Sequence, residues 1–78
     1  MLVKYVKNNR GNLIGVVVAT DKHNIGWSLC NKRDRFNKDF GRYIAIGRAE
    51  MDSTVDIPHS IINEYIEMKN RALRYFKK

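Results

Sequence analysis

The sequence predicts a single α+β domain over residues 1–78, in which a three-stranded antiparallel β-meander precedes two α-helices packed on the sheet. The first thirty residues contain many β-branched residues and alternate bulky with small or polar side chains. Beyond residue 34 the apolar residues recur at helical spacing instead. Clusters of turn-forming residues separate the strands, and short turns favour antiparallel pairing of neighbours.

Each predicted strand has its own pattern. "LVKYVK" alternates, whereas "LIGVVVAT" is apolar at nearly every position, which is typical of a central strand covered on both faces. In "IGWSLC" the bulky Ile25, Trp27 and Leu29 alternate with small residues. We expect both helices to pack on this bulky face. The opposite face would then stay partly uncovered, which predicts a homodimer formed through the sheet or the C-terminal helix.

The first helix is predicted to start near Asp34, with Asn31 or Asp34 as its N-cap. At about 100° per residue, one arc of this helix holds the residues expected to form its core face: Phe36, Phe40, Tyr43, Ile44 and Gly47. If these aromatics pack in the core, they cannot stack on exposed bases, which argues against specific binding of single-stranded nucleic acid. The alternation in "YIAIG" also permits a fourth strand, and helix is the preferred interpretation.

The second helix follows a polar segment, "EMDSTVD", and Pro58 suits its first turn. Its apolar stripe comprises Ile61, Ile62, Tyr65, Met68, Ala72, Leu73 and Phe76. Acidic residues come early in this helix and basic ones late, which complements the helix dipole. The late basic cluster comprises Arg71, Arg74, Lys77 and Lys78.

The distribution of reactive residues argues against an enzyme. Cys30 is the only cysteine, and two scattered histidines do not supply a zinc site or a catalytic triad. Gly41 and Gly47 lack the spacing of a phosphate-binding loop and are expected to serve close helix packing. We therefore predict no catalytic residue, metal or cofactor. The start of the chain lacks a signal-peptide pattern and no apolar run is long enough to span a membrane, so a cytoplasmic location is expected.

A strong positive charge points to acidic partners. Lys and Arg number 15 against 8 acidic residues, a net charge of +7, which favours nucleic acid or an acidic protein surface. Basic side chains concentrate around the first helix, and six are candidate phosphate ligands: Lys32, Arg33, Arg35, Lys38, Arg42 and Arg48. Arg48 falls outside the arc shared by Arg35, Lys38 and Arg42, so a packing role is an equal alternative for it. Alternatively, the whole set is a solvated helix face that binds no ligand, on which Asp39 forms a local ion pair with Arg42 or Arg35.

Residues 26–49, "GWSLCNKRDRFNKDFGRYIAIGRA", resemble a segment of small uncharacterised bacteriophage proteins, as does the preceding "GVVVA". The shared pattern is roughly GWSxxN, then DRFxK, then GxxIAxGRA. This resemblance implies a phage origin and a location in the host cytoplasm, and it implies no particular activity.

Three functions fit these observations. The preferred one is a non-enzymatic protein that binds nucleic acid non-specifically through a basic helix face. The alternatives are an inhibitor of a host protein or defence system, and a binder of an anionic nucleotide signal.

Overall fold

The computed structural model describes residues 1–30, 35–51 and 57–76 and confirms the predicted order of three strands followed by two helices. A single turn of 3₁₀-helix, His59–Ile61, precedes the second helix. The strands are β1, Leu2–Lys7; β2, Leu13–Asp21; and β3, Asn24–Leu29. The helices are α1, Lys38–Glu50, and α2, Ile62–Tyr75.

The three strands form one antiparallel sheet in the order β1-β2-β3, as predicted for a meander. The β1–β2 turn is closed by Asn8, whose side-chain oxygen accepts hydrogen bonds from the backbone N–H groups of Arg10 and Asn12 at 2.9 and 3.0 Å. Gly11 supplies the left-handed conformation that this turn requires, with φ of 82°.

Strand β2 is covered on both faces, which confirms the prediction from its unbroken apolar sequence. Val16, Val17, Val18 and Ala19 are completely buried. Val17 and Ala19 join the core on the α2 side, while Val16 and Val18 join a second core beneath α1. Two separate cores therefore share the central strand.

The expectation that both helices pack on the bulky face of β3 was wrong for α1. Ile25, Trp27 and Leu29 pack in the core on the α2 side. Helix α1 lies on the opposite face, where it contacts β3 and β2. Both faces are therefore covered, which removes the reason for expecting a dimer through a bare sheet face.

The closest approach between α1 and the sheet occurs at Gly26. A Cβ atom added there would overlap the carbonyl oxygen of Ala45 and lie 2.6 Å from the backbone nitrogen of Ala49. The helix backbone therefore rests directly on the strand, which only glycine permits at this point. Small residues form the buried side of the helix, Gly41, Ala45 and Ala49, and the two alanines are the ones that lie against Gly26.

This close contact fixes the rotation of α1 and corrects its predicted core face. Phe40 and Tyr43, expected inside, are 61% and 74% exposed. Their bulk does not fit between a helix backbone and Gly26, so they turn outward. Phe36 does pack on the α1-side core. The alternative of a strand at "YIAIG" is excluded, because these residues lie within α1.

The glycines of α1 also differ from expectation. A Cβ atom at Gly41 would lie 2.7 Å from the ring of Phe36, so this glycine makes room for that aromatic rather than for the sheet. A Cβ atom at Gly47 would meet nothing within 4 Å, so this glycine serves no packing contact with the described residues.

Helix α1 begins later than predicted. Its N-cap is Asn37, whose side-chain oxygen accepts a hydrogen bond from the backbone N–H of Phe40 at 3.0 Å. The predicted caps, Asn31 and Asp34, lie outside the described residues.

Helix α2 packs with the stripe that its sequence predicts. Ile61, Tyr65, Met68 and Ala72 are buried. The prediction was wrong for Leu73, which is exposed at 44%. Pro58 precedes the 3₁₀ turn, one step before the helical position expected for it. Lys77 and Lys78 of the late basic cluster lie outside the described residues.

Candidate nucleic-acid interface

Helix α1 presents its N-terminal half beside the edge strand β1. The Lys38 ammonium nitrogen lies 5.3 Å from the centre of the Tyr5 ring, a cation–π distance. The rings of Tyr5 and Phe36 form a T-shaped contact, with centres 6.2 Å apart and planes at 78°. Both aromatics are half-buried, so Phe36 supports Tyr5, and Tyr5 positions Lys38 while Lys38 itself stays exposed. The cation–π pair was not foreseen from the sequence, because it joins residues distant along the chain.

Arg42 follows Lys38 one helical turn later and makes the local ion pair that the sequence allowed. Its Nη2 donates to Oδ1 of Asp39 at 3.1 Å. The side chains of Arg42 and Asp39 are 43% and 91% exposed, and such surface pairs contribute only about 0.2–1 kcal/mol. The guanidinium can therefore exchange this partner for a phosphate at little cost.

Arg35 lies just before the helix and is exposed. Arg35 was predicted to share a helical arc with Lys38 and Arg42, which was wrong because α1 begins only at Lys38. We call these three residues, two on α1 and one just before it, the basic flank of α1. Neither Arg35 nor Lys38 forms an ion pair with a carboxylate in the described part of the chain. The exposed Lys7 follows Tyr5 on the same edge strand and extends the positive surface. Two of the predicted ligands, Lys32 and Arg33, lie outside the described residues.

Arg48 lies on the other side of α1, apart from the basic flank. Its guanidinium carbon is 4.2 Å from the centre of the Trp27 ring, and its Nη1 donates to the Trp27 carbonyl oxygen at 2.9 Å. Both interactions tie the helix to the outer edge of β3. The structure thus gives Arg48 the packing role that was the alternative to phosphate binding.

Phe40, Tyr43 and Met51 are exposed, at 61%, 74% and 79%. Successive helical residues are about 100° apart, which places Phe40 and Met51 near Arg48 on the side of α1 closer to β3. Sequence reasoning missed this surface because it assigned the aromatics to the core. The repeat of Gly41, Ala45 and Ala49 at four-residue intervals was the available signal for a small, close-packed inner face.

A cleft of about 800 Å³ opens where the β1–β2 turn meets the chain that precedes α1. Arg35 is the only basic side chain among its described lining residues. Asn8 uses its side-chain oxygen in the turn, so its NH₂ group remains to donate. The described lining comprises Asn8, Gly11, Asn12, Leu13, Ile14, Leu29, Cys30, Arg35, Phe36 and Ser60.

The residues with metal or nucleophilic chemistry are dispersed. Within residues 1–30, 35–51 and 57–76, no three His, Cys, Asp or Glu side chains gather in a group able to hold a metal. Cys30 is half-buried at the cleft, and His23 and His59 are exposed.

None of the described helices combines the length and the apolar character needed to cross a lipid bilayer. The chain matches no protein-family model, no curated protein and no solved structure. Its function is therefore inferred from the geometry and charge of the molecule itself.

Proposed function

We propose that the protein binds nucleic acid without sequence preference and that phosphates contact the basic flank of α1. The proposal is carried by one observation: Arg35 and Lys38 are exposed without a carboxylate partner among the described residues. In a chain of net charge +7, such a surface attracts phosphates from about 10 Å away at 0.1 M salt.

The mechanism is electrostatic. The two guanidinium groups offer planar forks that match pairs of phosphate oxygens, while Lys38 supplies a point charge. Tyr5, which packs on Phe36, limits the movement of Lys38, and this reduces the entropy cost when a phosphate binds. Contacts with phosphate position a nucleic acid but carry no sequence information. Binding is therefore expected to be similar for unrelated sequences of equal length.

Replacing Arg35, Lys38 and Arg42 together by glutamine tests the proposal. Lys38 and Arg42 lie outside the buried face of α1, and Arg35 is exposed before the helix begins, so the far-UV circular dichroism should not change. Binding to a labelled duplex of about 30 base pairs should weaken at least tenfold at about 0.1 M salt. The slope of log K against log salt should become less negative by about 0.9 for each phosphate that the variant no longer neutralises.

The matched control replaces Lys69, Arg71 and Arg74 of α2 by glutamine. These side chains are also exposed, and their replacement lowers the net charge by the same three units at a different helix. The control should retain most of the affinity and the wild-type salt slope. Equal weakening by both variants would show that net charge alone drives binding, and weakening by the control alone would move the site to α2.

A second candidate function is favoured by the cleft beside Arg35. Its volume of about 800 Å³ lies within the range of about 300–1,000 Å³ that is usual for small-ligand sites. Arg35 and Phe36 both line the cleft and offer a phosphate contact and an aromatic contact for a base, which suits an anionic nucleotide. A nucleotide ligand should raise the melting temperature in a saturable way. Arg35→Gln should abolish that rise and Arg42→Gln should not, since Arg42 does not line the cleft.

The resemblance to small bacteriophage proteins would place either activity in the cytoplasm of an infected host. The phage origin, this location and inhibition of an acidic host protein stay predictions from the sequence.

A further inference from the structure

We propose that the side of α1 nearer β3 binds the same side of a second copy of the chain, with the two helices antiparallel. We call this surface the apolar flank of α1: Phe40, Ile44, Gly47 and Met51, with Tyr43 next to them where the helix faces away from the sheet. Three of its side chains are among the most exposed large apolar groups in the described residues, at 61% for Phe40, 74% for Tyr43 and 79% for Met51. Contiguous exposed apolar surface of this kind marks interaction sites.

The flank has the spacing of a helix–helix seam. Phe40, Ile44, Gly47 and Met51 follow one another at intervals of four, three and four residues. At about 100° per residue they fall within an arc of about 60°. Met51 keeps helical backbone angles as the C-cap of α1, with φ of −84° and ψ of −2°, so it continues the seam.

The seam is complementary to itself when two helices run antiparallel. Suppose that the two-fold axis crosses the seam at the level along α1 that is midway between Ala45 and Ile46. Phe40 then lies opposite Met51 of the second copy, and Ile44 lies opposite its Gly47. A Cβ atom at Gly47 would have nothing within 4 Å, so the glycine leaves a notch for the facing isoleucine. Each pairing occurs twice, as in any two-fold dimer. This arrangement gives a role to a glycine that no packing among the described residues requires.

Charge favours a second protein copy over nucleic acid at this surface. The exposed border of the apolar flank carries Glu50, which repels phosphates, and Asp39, whose carboxylate pairs with Arg42. The nearest basic group, Arg48, is held on Trp27. Lys38 and Arg42 lie about 150–170° around the helix from the seam. Two copies can therefore approach without bringing their basic flanks together.

The available area fits a weak dimer. A large aromatic side chain offers about 150–250 Å² for burial, so at the observed exposures Phe40, Tyr43 and Met51 provide roughly 400 Å² per copy. With Ile44 and the polar border, the two copies together bury about 1,000 Å², which is below the standard interface and within the range of transient complexes. We expect a dissociation constant of about 10–100 μM.

Analytical ultracentrifugation of nuclease-treated protein from about 5 to about 500 μM, in about 0.15 M salt, tests the proposal. The average mass should rise from 9.1 kDa toward twice that value. Gly47→Gln fills the notch, and it should keep or increase the helix content while weakening the dimer at least tenfold. Met51→Lys should weaken it similarly. Added salt should strengthen the dimer by screening the repulsion between two positive chains, the opposite of its effect on nucleic-acid binding.

Ile66→Lys is the matched control, since Ile66 is 50% exposed on α2 and undergoes the same change from apolar to charged. It should leave the dissociation constant within twofold of the wild type. A protein that stays monomeric to about 500 μM overturns the proposal. So does a dimer that survives both Gly47→Gln and Met51→Lys, or one that Ile66→Lys disrupts as strongly as Met51→Lys does.

Discussion

The two sides of α1 differ in chemistry although one short helix carries both. The side near β1 holds Lys38 and Arg42, with Lys38 positioned over Tyr5. The side near β3 exposes Phe40 and Met51 and keeps its single basic residue, Arg48, bound to Trp27. The difference shows that a basic segment need not form a continuous basic surface, because the packing of the helix decides which charged side chains lie on the surface and which are held against the sheet.

The close approach of α1 to Gly26 is the feature on which this division most depends. Gly26→Ala should destabilise the fold by about 3 kcal/mol, because its Cβ would overlap the backbone of α1 at Ala45. Chemical denaturation measures the change. In folded molecules the helix should lift from the sheet, which would separate Lys38 from Tyr5.

Gly47→Ala is the control for that experiment. It is the same substitution, but on the side of α1 that faces away from Gly26 and the sheet. It should stabilise the monomer by about 0.5–1 kcal/mol, since alanine favours helix and a Cβ atom meets nothing there. Equal effects of the two substitutions would mean that α1 does not rest on Gly26.

Arg48→Ala tests whether the two sides of α1 have separate roles, and its expected effect on stability is smaller than that of Gly26→Ala. The variant lacks the cation–π interaction with Trp27 and the hydrogen bond to its carbonyl group, and it should be destabilised by about 1–2 kcal/mol. The salt slope of nucleic-acid binding should stay unchanged in the folded variant. Arg42→Ala also removes one positive charge, but it should change stability little, because Arg42 forms only an exposed ion pair. It should instead flatten the salt slope of nucleic-acid binding. A flatter slope in Arg48→Ala would instead extend the phosphate-binding surface around α1.

The strands, their order and both helices could be predicted because each depends on local pattern. An unbroken apolar run such as Val16 to Ala19 needs cover on both faces, and the stripe through Tyr65 and Met68 needs a core. The rotation of α1 could not be predicted in the same way. Hydrophobicity placed Phe40 and Tyr43 inside, whereas the outcome was decided by the lack of a side chain at Gly26, in a different element.

The candidate site was predictable only in part for the same reason. Lys38 and Arg42 share a side of α1 by spacing alone, and Asp39 lies within reach of Arg42. The cation–π interactions of Lys38 and Arg48 join residues far apart in sequence. The N-cap depended on where the helix begins, and Asn37 was one of several suitable residues nearby.

Arg48 also affects how the sheet meets other chains. A three-stranded sheet has two open edges, and unpaired carbonyl and N–H groups at such edges invite strand addition and aggregation. On β3 the Trp27 carbonyl is already occupied by Arg48. On β1 the side chains of Lys4 and Lys7 are exposed. A strand from another chain would therefore have to displace Arg48 at β3 or bury the charges of Lys4 and Lys7 at β1. Positive charge thus protects this small sheet from edge-to-edge aggregation.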